Sequence, residues 1–210
     1  MIKEFQDGGG VMWLLLACIV LGLGIVVERL ISLFLKTRLQ PRIFGERLRS
    51  IIKDKGIAAG IELCDQTPSP VAKIMKAILE KQAAGKAAME EAMARAAVEE
   101  LAFLDRGMSL LAGLTTVAPF LGFLGTVTGM MRSFSAIAAA GEVEPTVVAS
   151  GISEALITTK WGLLIATPLA IIHILFTGKI NRFTREMEDG GVRLIDFLTA
   201  GSLKERTGGN

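Results

Sequence analysis

VVASGISEALITTKWGLLIATPLAIIHILFT, residues 147–177, is the stretch whose reading decides the fold, and its only charges are Glu154 and Lys160. Crossing a hydrocarbon core of about 30 Å takes roughly 20 helical residues. The run is longer than that, so it reads as a membrane helix that tilts or projects beyond the apolar layer. Gly151, Glu154, Thr158 and Trp161 recur at three- and four-residue spacing and share one helix face, with Thr159 beside it. Pro145 suits a helix start, which puts Glu154 roughly 14 Å along the helix and inside the apolar layer. A carboxylate there costs several kcal/mol as an ion unless it is protonated, paired or hydrated. Apolar surroundings disfavour its charged form, so proton uptake and release become possible. An acid beside the hydroxyls of Thr158 and Thr159 is what a proton relay needs; a carboxyl group hydrogen-bonded between helices for structural reasons is the alternative.

Working outward, residues 107–140 form a second apolar window with Arg132 as its only charge, and residues 11–35 form a first one, interrupted by Glu28-Arg29 and Ser32. The chain is 51% hydrophobic with a mean hydropathy of +0.50, and its charges are sorted between these windows rather than spread. This composition predicts an all-α polytopic membrane protein with three long transmembrane helices, two of them extended into a cytoplasmic helical region. The start of the chain is slightly acidic, and Glu28-Arg29 follows the first window where a signal peptide would need small residues. The first window is therefore expected to be a retained helix.

Lysine and arginine mark the cytoplasmic side. They cluster after the first window (Lys36, Arg38, Arg42, Arg47, Arg49, Lys53, Lys55) and after the third (Lys179, Arg182, Arg185, Arg193), whereas the loop between the second and third carries Glu142 and Glu144. The predicted layout is a periplasmic tail over 1–10, helices over 11–35, 107–140 and 147–178, a cytoplasmic helical region over 36–106, a periplasmic loop over 141–146 and a cytoplasmic tail over 179–210. Within the cytoplasmic region, Gln40-Pro41 starts a helix and Pro68-Ser69-Pro70 breaks one. Residues 71–105 are rich in helix formers with only Gly85 against them, which predicts a helical hairpin, or one helix running on into the second window.

In the second window Pro119, Gly122, Thr126, Gly129 and Ser133 step by three or four residues along one face, bordered by Gly125. Small faces let membrane helices approach closely, and that alone would account for the glycines. The hydroxyl row of Thr126 and Ser133 is what apolar packing does not require. Catalytic chemistry is not expected: the chain has one histidine, His173, and two cysteines, Cys18 and Cys64, and no nucleophile set or phosphate loop. No metal site, no cofactor and no nucleic-acid partner are expected.

Ala118-Pro119-Phe120-Leu121-Gly122-Phe123-Leu124-Gly125-Thr126-Val127-Thr128-Gly129-Met130 resembles the second-span motif of the MotA/TolQ/ExbB proton-channel family. Gly151-Ile152-Ser153-Glu154-Ala155-Leu156-Ile157-Thr158-Thr159, followed by Gly162-Leu163 and Ala166-Thr167-Pro168, resembles its third-span motif, and Glu28-Arg29-Leu30 also fits. The three-span layout is similar to ExbB and TolQ; MotA has an additional span. The resemblance implies a homo-oligomer, commonly a pentamer, around an ExbD- or TolR-like single-span protein with a membrane aspartate. It further implies proton-driven rotation whose work reaches the outer membrane through a TonB- or TolA-like protein. The family's glutamate then matches Glu154, its second-span threonine Thr126 and its third-span threonine Thr159. Pro119, Gly122, Gly125, Gly129, Ser133 and Gly151 would pack a pore or a partner helix. ExbB-like energising of TonB-dependent transport is the leading expectation; a TolQ-like role in envelope maintenance and a non-conducting scaffold are the alternatives. Lys160 stands where many relatives have a small or apolar residue, and it either pairs with Glu154 of a neighbouring subunit or with the partner's aspartate, or snorkels to the cytoplasmic side.

Overall fold

The computed structural model describes residues 2–36, 39–140 and 145–207, and among them all regular structure is helical. The helices are α1 (Ile2–Asp7), α2 (Val11–Lys36), α3 (Pro41–Lys55), α4 (Ile57–Asp65), α5 (Pro70–Glu80), α6 (Lys86–Asp105), α7 (Met108–Ala140) and α8 (Pro145–Thr207), with a short 3-10 turn at Gln82–Ala84. Three stretches are long and apolar enough to cross a membrane: Val11–Leu33, one within Lys86–Ala139 and one within Pro145–Ala200. The expected periplasmic loop, up to Glu144, lies outside the described residues, as does Arg38.

The chain divides into two compact units. The first takes the chain up to Arg29 together with Gly107–Phe176. Here α7 and α8 run antiparallel, and α2 packs alongside α8 in the same direction, with Gly22 against Leu169 and Gly9 against Glu154. Leu15, Leu111, Leu114, Ala118, Ala155 and Ile165 are buried between these helices. Phe120, Phe123, Phe134, Leu156, Ile174 and Leu175 are exposed, as suits a surface that meets lipid or neighbouring helices. Glu28-Arg29 is tolerated in the first window because Arg29, 1% exposed, grips Glu28 through Nε and Nη2, each at 2.6 Å.

The second unit takes Leu30–Arg106 and the chain from Thr177. Gly56 (φ 84°) separates α3 from α4. Ser69 caps α5, its hydroxyl accepting from the Val71 amide, and Pro70 occupies the first turn, where it needs no donor. The buried face of α5 is Val71, Ala72, Ile74, Met75, Ile78 and Leu79. The sequence offered either a hairpin or a single helix continuing into the second window. The structure has breaks at both glycines, Gly85 (φ 94°) and Gly107 (φ 75°), backbone that a glycine adopts without strain.

The residues after 178, read as a tail, are helical through Thr207. Ile180, Phe183, Met187, Leu194, Ile195 and Leu198 recur at helical spacing and are buried. Gly190 approaches Met75 and Pro41, Gly191 approaches Met93 and Ile78, and Lys86 reaches Asp196 at 3.2 Å. This part of α8 thus completes a helical bundle with α3, α5 and α6.

Candidate proton site

The glycines of the second-window stripe lie in the α7–α8 seam of the same chain. A Cβ on Gly122 would stand 3.1 Å from the Thr158 carbonyl oxygen, and one on Gly129 would stand 2.9 Å from that of Gly151. One on Gly162 would stand 2.7 Å from the Ala118 carbonyl oxygen and 3.0 Å from Gly122 Cα. Gly125 faces the Thr158 side chain, and Gly151 faces the Ser133 hydroxyl. Close backbone approach is what these residues provide. Pro119, half-buried, sits inside α7 without ending it.

Hydroxyls thread this seam. Thr158 is fully buried and donates to the Ala155 carbonyl at 2.8 Å, with the Gly122 carbonyl at 3.4 Å. Thr159 donates across the seam to Gly122 at 3.2 Å. Ser133 is buried and reaches Gly129 at 3.4 Å. Thr126 donates to Phe123 of its own helix at 2.6 Å and is half-buried. Thr158 and Thr159 are therefore brought onto the α7 backbone, whereas Thr126 sits at the margin.

Glu154 is four residues before Thr158, one helical turn away on the same face. Its Oε1 accepts from Arg132 Nη1 at 2.5 Å; the carboxylate side is 17% exposed and the guanidinium side 61%. Arg132 was legible in the sequence only as the charge interrupting its window. The pair explains how both groups reside there, since each neutralises the other and the bond is charge-assisted. The two line a cleft of about 360 Å³ with Asp7, Ser133, Ser150 and Ser153.

Glu154 stands level with Gly9, two residues before the first apolar helix begins at Val11. The first turns of α8 thus run on past the start of α2. Lys160 bonds Glu4 at 2.6 Å, with its ammonium 6.0 Å from the Trp161 ring centre. Its partner within the chain is thus Glu4 rather than Glu154, and the Lys160 hydrogen bond holds the Glu4 carboxyl below its usual range.

The sequence model of the MotA/TolQ/ExbB proton channel family matches residues 66–189, which contain the whole seam, Arg132 and Glu154. The chain belongs to this family. It is 31% identical to a biopolymer transport protein ExbB homolog of Methanothermobacter thermautotrophicus, over 97% of this chain and 75% of that protein. Identity is 36% to biopolymer transport protein ExbB of Salmonella typhimurium, over 44% of this chain and 38% of that protein. It is 34% to Tol-Pal system protein TolQ of Haemophilus influenzae, over 51% and 46%. The chain therefore spans less than half the length of these last two relatives. It is a membrane protein of the ExbB/TolQ type within the proton channel family.

Proposed function

We propose that this chain is an ExbB-type stator subunit that uses the proton motive force to energise TonB-dependent transport across an outer membrane. The observation that carries this reading is Glu154: an acid on a membrane helix, one turn from the buried Thr158 hydroxyl and held by a single guanidinium. Thr159 and Thr126 extend the polar path along α8 and α7. Each charge that crosses yields about 2.3 kcal/mol per 100 mV, a useful increment for driving a helix rearrangement. In this reading the chain resides in a bacterial inner membrane with its N-terminus in the periplasm, its C-terminus in the cytoplasm and no enzymatic chemistry of its own. It assembles as a homo-oligomer, a pentamer, around an ExbD/TolR-like single-span protein that contributes a membrane aspartate, and it passes work to a TonB/TolA-like protein.

Proton uptake by Glu154 requires that Arg132 release it, so the ion pair is the resting state and the partner's aspartate is the group that competes for the guanidinium. Glu154→Gln is expected to abolish energy-dependent uptake in cells while the complex still assembles. Uptake at the unsubstituted level would defeat the proposal. A second reading, a non-conducting scaffold, draws on the same ion pair and the glycine seam, which fasten α7 to α8. It predicts that Glu154→Gln preserves uptake wherever it preserves assembly. A TolQ-like role uses the same residues, and rescue of outer-membrane integrity rather than of uptake, in a strain lacking either system, identifies it.

A further inference from the structure

Residues 2–10, too short and too polar to enter the membrane-helix reading, approach Glu154 from outside the seam. A Cβ built on Gly9 (φ 65°) would overlap Glu154 Oε1 and lie 3.1 Å from Arg132 Nη1. Only glycine brings the backbone this close, and the left-handed φ favours glycine independently. The turn is held at both ends. On one side the Gly8 amide donates to the Glu4 carbonyl at 3.0 Å, and the Met12 amide donates to Gly9 at 3.2 Å. On the other, α1 is clamped onto the helix layer: Glu4 Oε1 accepts from Lys160 Nζ at 2.6 Å, and the Phe5 ring meets Trp13 edge-on at 5.1 Å. Asp7 closes the wall of the cleft that contains Arg132 and Glu154.

We propose that residues 2–10 form a lid over Glu154, and that Lys160 is a positioning residue which, by gripping Glu4, keeps the Gly8-Gly9-Gly10 turn seated on the Glu154–Arg132 pair. With the lid seated, the carboxylate is covered on the side of the N-terminus. Once the lid lifts, the cleft opens to water and a proton reaches Glu154 from that side. The functional part of this inference rests on Glu154 as the proton carrier; the lid itself does not. The geometry also gives Lys160 a task that a snorkelling lysine would not have, because its ammonium is committed to a residue 156 positions earlier in the chain.

The test uses the assembled complex in native membrane vesicles. Cys18 and Cys64 are replaced by alanine, Glu154→Cys is introduced, and its reaction with a membrane-impermeant maleimide is timed. Lys160→Glu, which sets two carboxylates against each other, is expected to speed labelling about five- to tenfold, the scale of a half-exposed ion pair lost and replaced by repulsion. Adding Glu4→Lys, which restores the pair in reverse, is expected to return the rate to within about twofold of the starting value. Gly9→Ala is expected to speed labelling without touching either charge. An unchanged rate in Lys160→Glu or in Gly9→Ala overturns the lid. A raised rate that the charge swap does not restore overturns the assignment to Lys160. Labelling is read without any proton current, so a lid that opens as described in a protein where Glu154→Gln still conducts would remove the proton-carrier reading and leave the lid standing.

Discussion

The two ends of the α7–α8 seam are built from opposite chemistry. Around Gly122, Thr158 and Gly162, backbone meets backbone, side-chain hydroxyls are satisfied by carbonyls, and Thr158 has no exposed surface. Around Glu154 the helices hold a charge pair, a cleft lined by serines, and a turn that belongs to neither helix. The first end has one arrangement, since carbonyl oxygens and Cα atoms cannot move aside. The second has several, since an ion pair can exchange partners and a cleft can admit water. A helix pair fixed at one end and adjustable at the other suits a protein that must keep its register while a proton is taken up and released.

Breaking the fixed end is expected to have the largest effect. Gly162→Val drives two methyl groups into the Ala118 carbonyl and Gly122, where the obstructing atoms are backbone. Overpacking costs about 1–3 kcal/mol, and obstruction by backbone puts this case at the upper end. Thermal unfolding of the detergent-solubilised complex should show a loss of that order, or no assembled complex at all. A valine accepted without a change in stability would mean that the seam is looser than described.

Breaking the adjustable end is expected to cost less in stability and more in function. Arg132→Ala leaves Glu154 without its partner. A fully buried pair would lose 3–5 kcal/mol in this way; with the guanidinium largely exposed, about 1–2 kcal/mol is the reasonable scale. The complex should still assemble, and gradient-driven activity should change far more than the melting temperature. A variant whose activity and stability fall in proportion would assign Arg132 to structure alone. Thr126→Ala should have the smallest effect, because the hydroxyl bonds its own helix and water can replace it. Activity within about threefold of the unsubstituted protein is expected; complete loss would move Thr126 from the margin to the centre of the path.

Much of this contrast was legible in the amino-acid sequence, and the remainder failed for identifiable reasons. Sorting of charge from apolar residues marks three spans without any structure, and three- and four-residue spacing places Gly122, Gly129 and Ser133 on one face. The partner of that face was not legible: periodicity says that small residues share a stripe, not that the stripe meets Gly151 and Gly162 of the same chain. The pairing of Arg132 with Glu154 was not legible because the two are 22 residues apart on different helices. Helical spacing carries no information about register between helices. The helical continuation of α8 was hidden by Gly190-Gly191, which costs about 1 kcal/mol per glycine in an isolated helix and is offset here by packing on Met75 and Met93. The N-terminal lid lay outside any pattern, since α1 is six residues long and makes sense only through Lys160.

The central claim is that Glu154 carries the proton, and proton flux measures it most directly. Vesicles containing the chain assembled with its single-span partner would be given a pH gradient, and its collapse would be followed with a fluorescent dye in the unsubstituted protein, Glu154→Gln and Glu154→Asp. The account predicts that flux is lost with glutamine, which cannot exchange a proton, and is partly retained with aspartate. Flux through the glutamine variant at the unsubstituted rate, in a complex shown to be assembled, would contradict it.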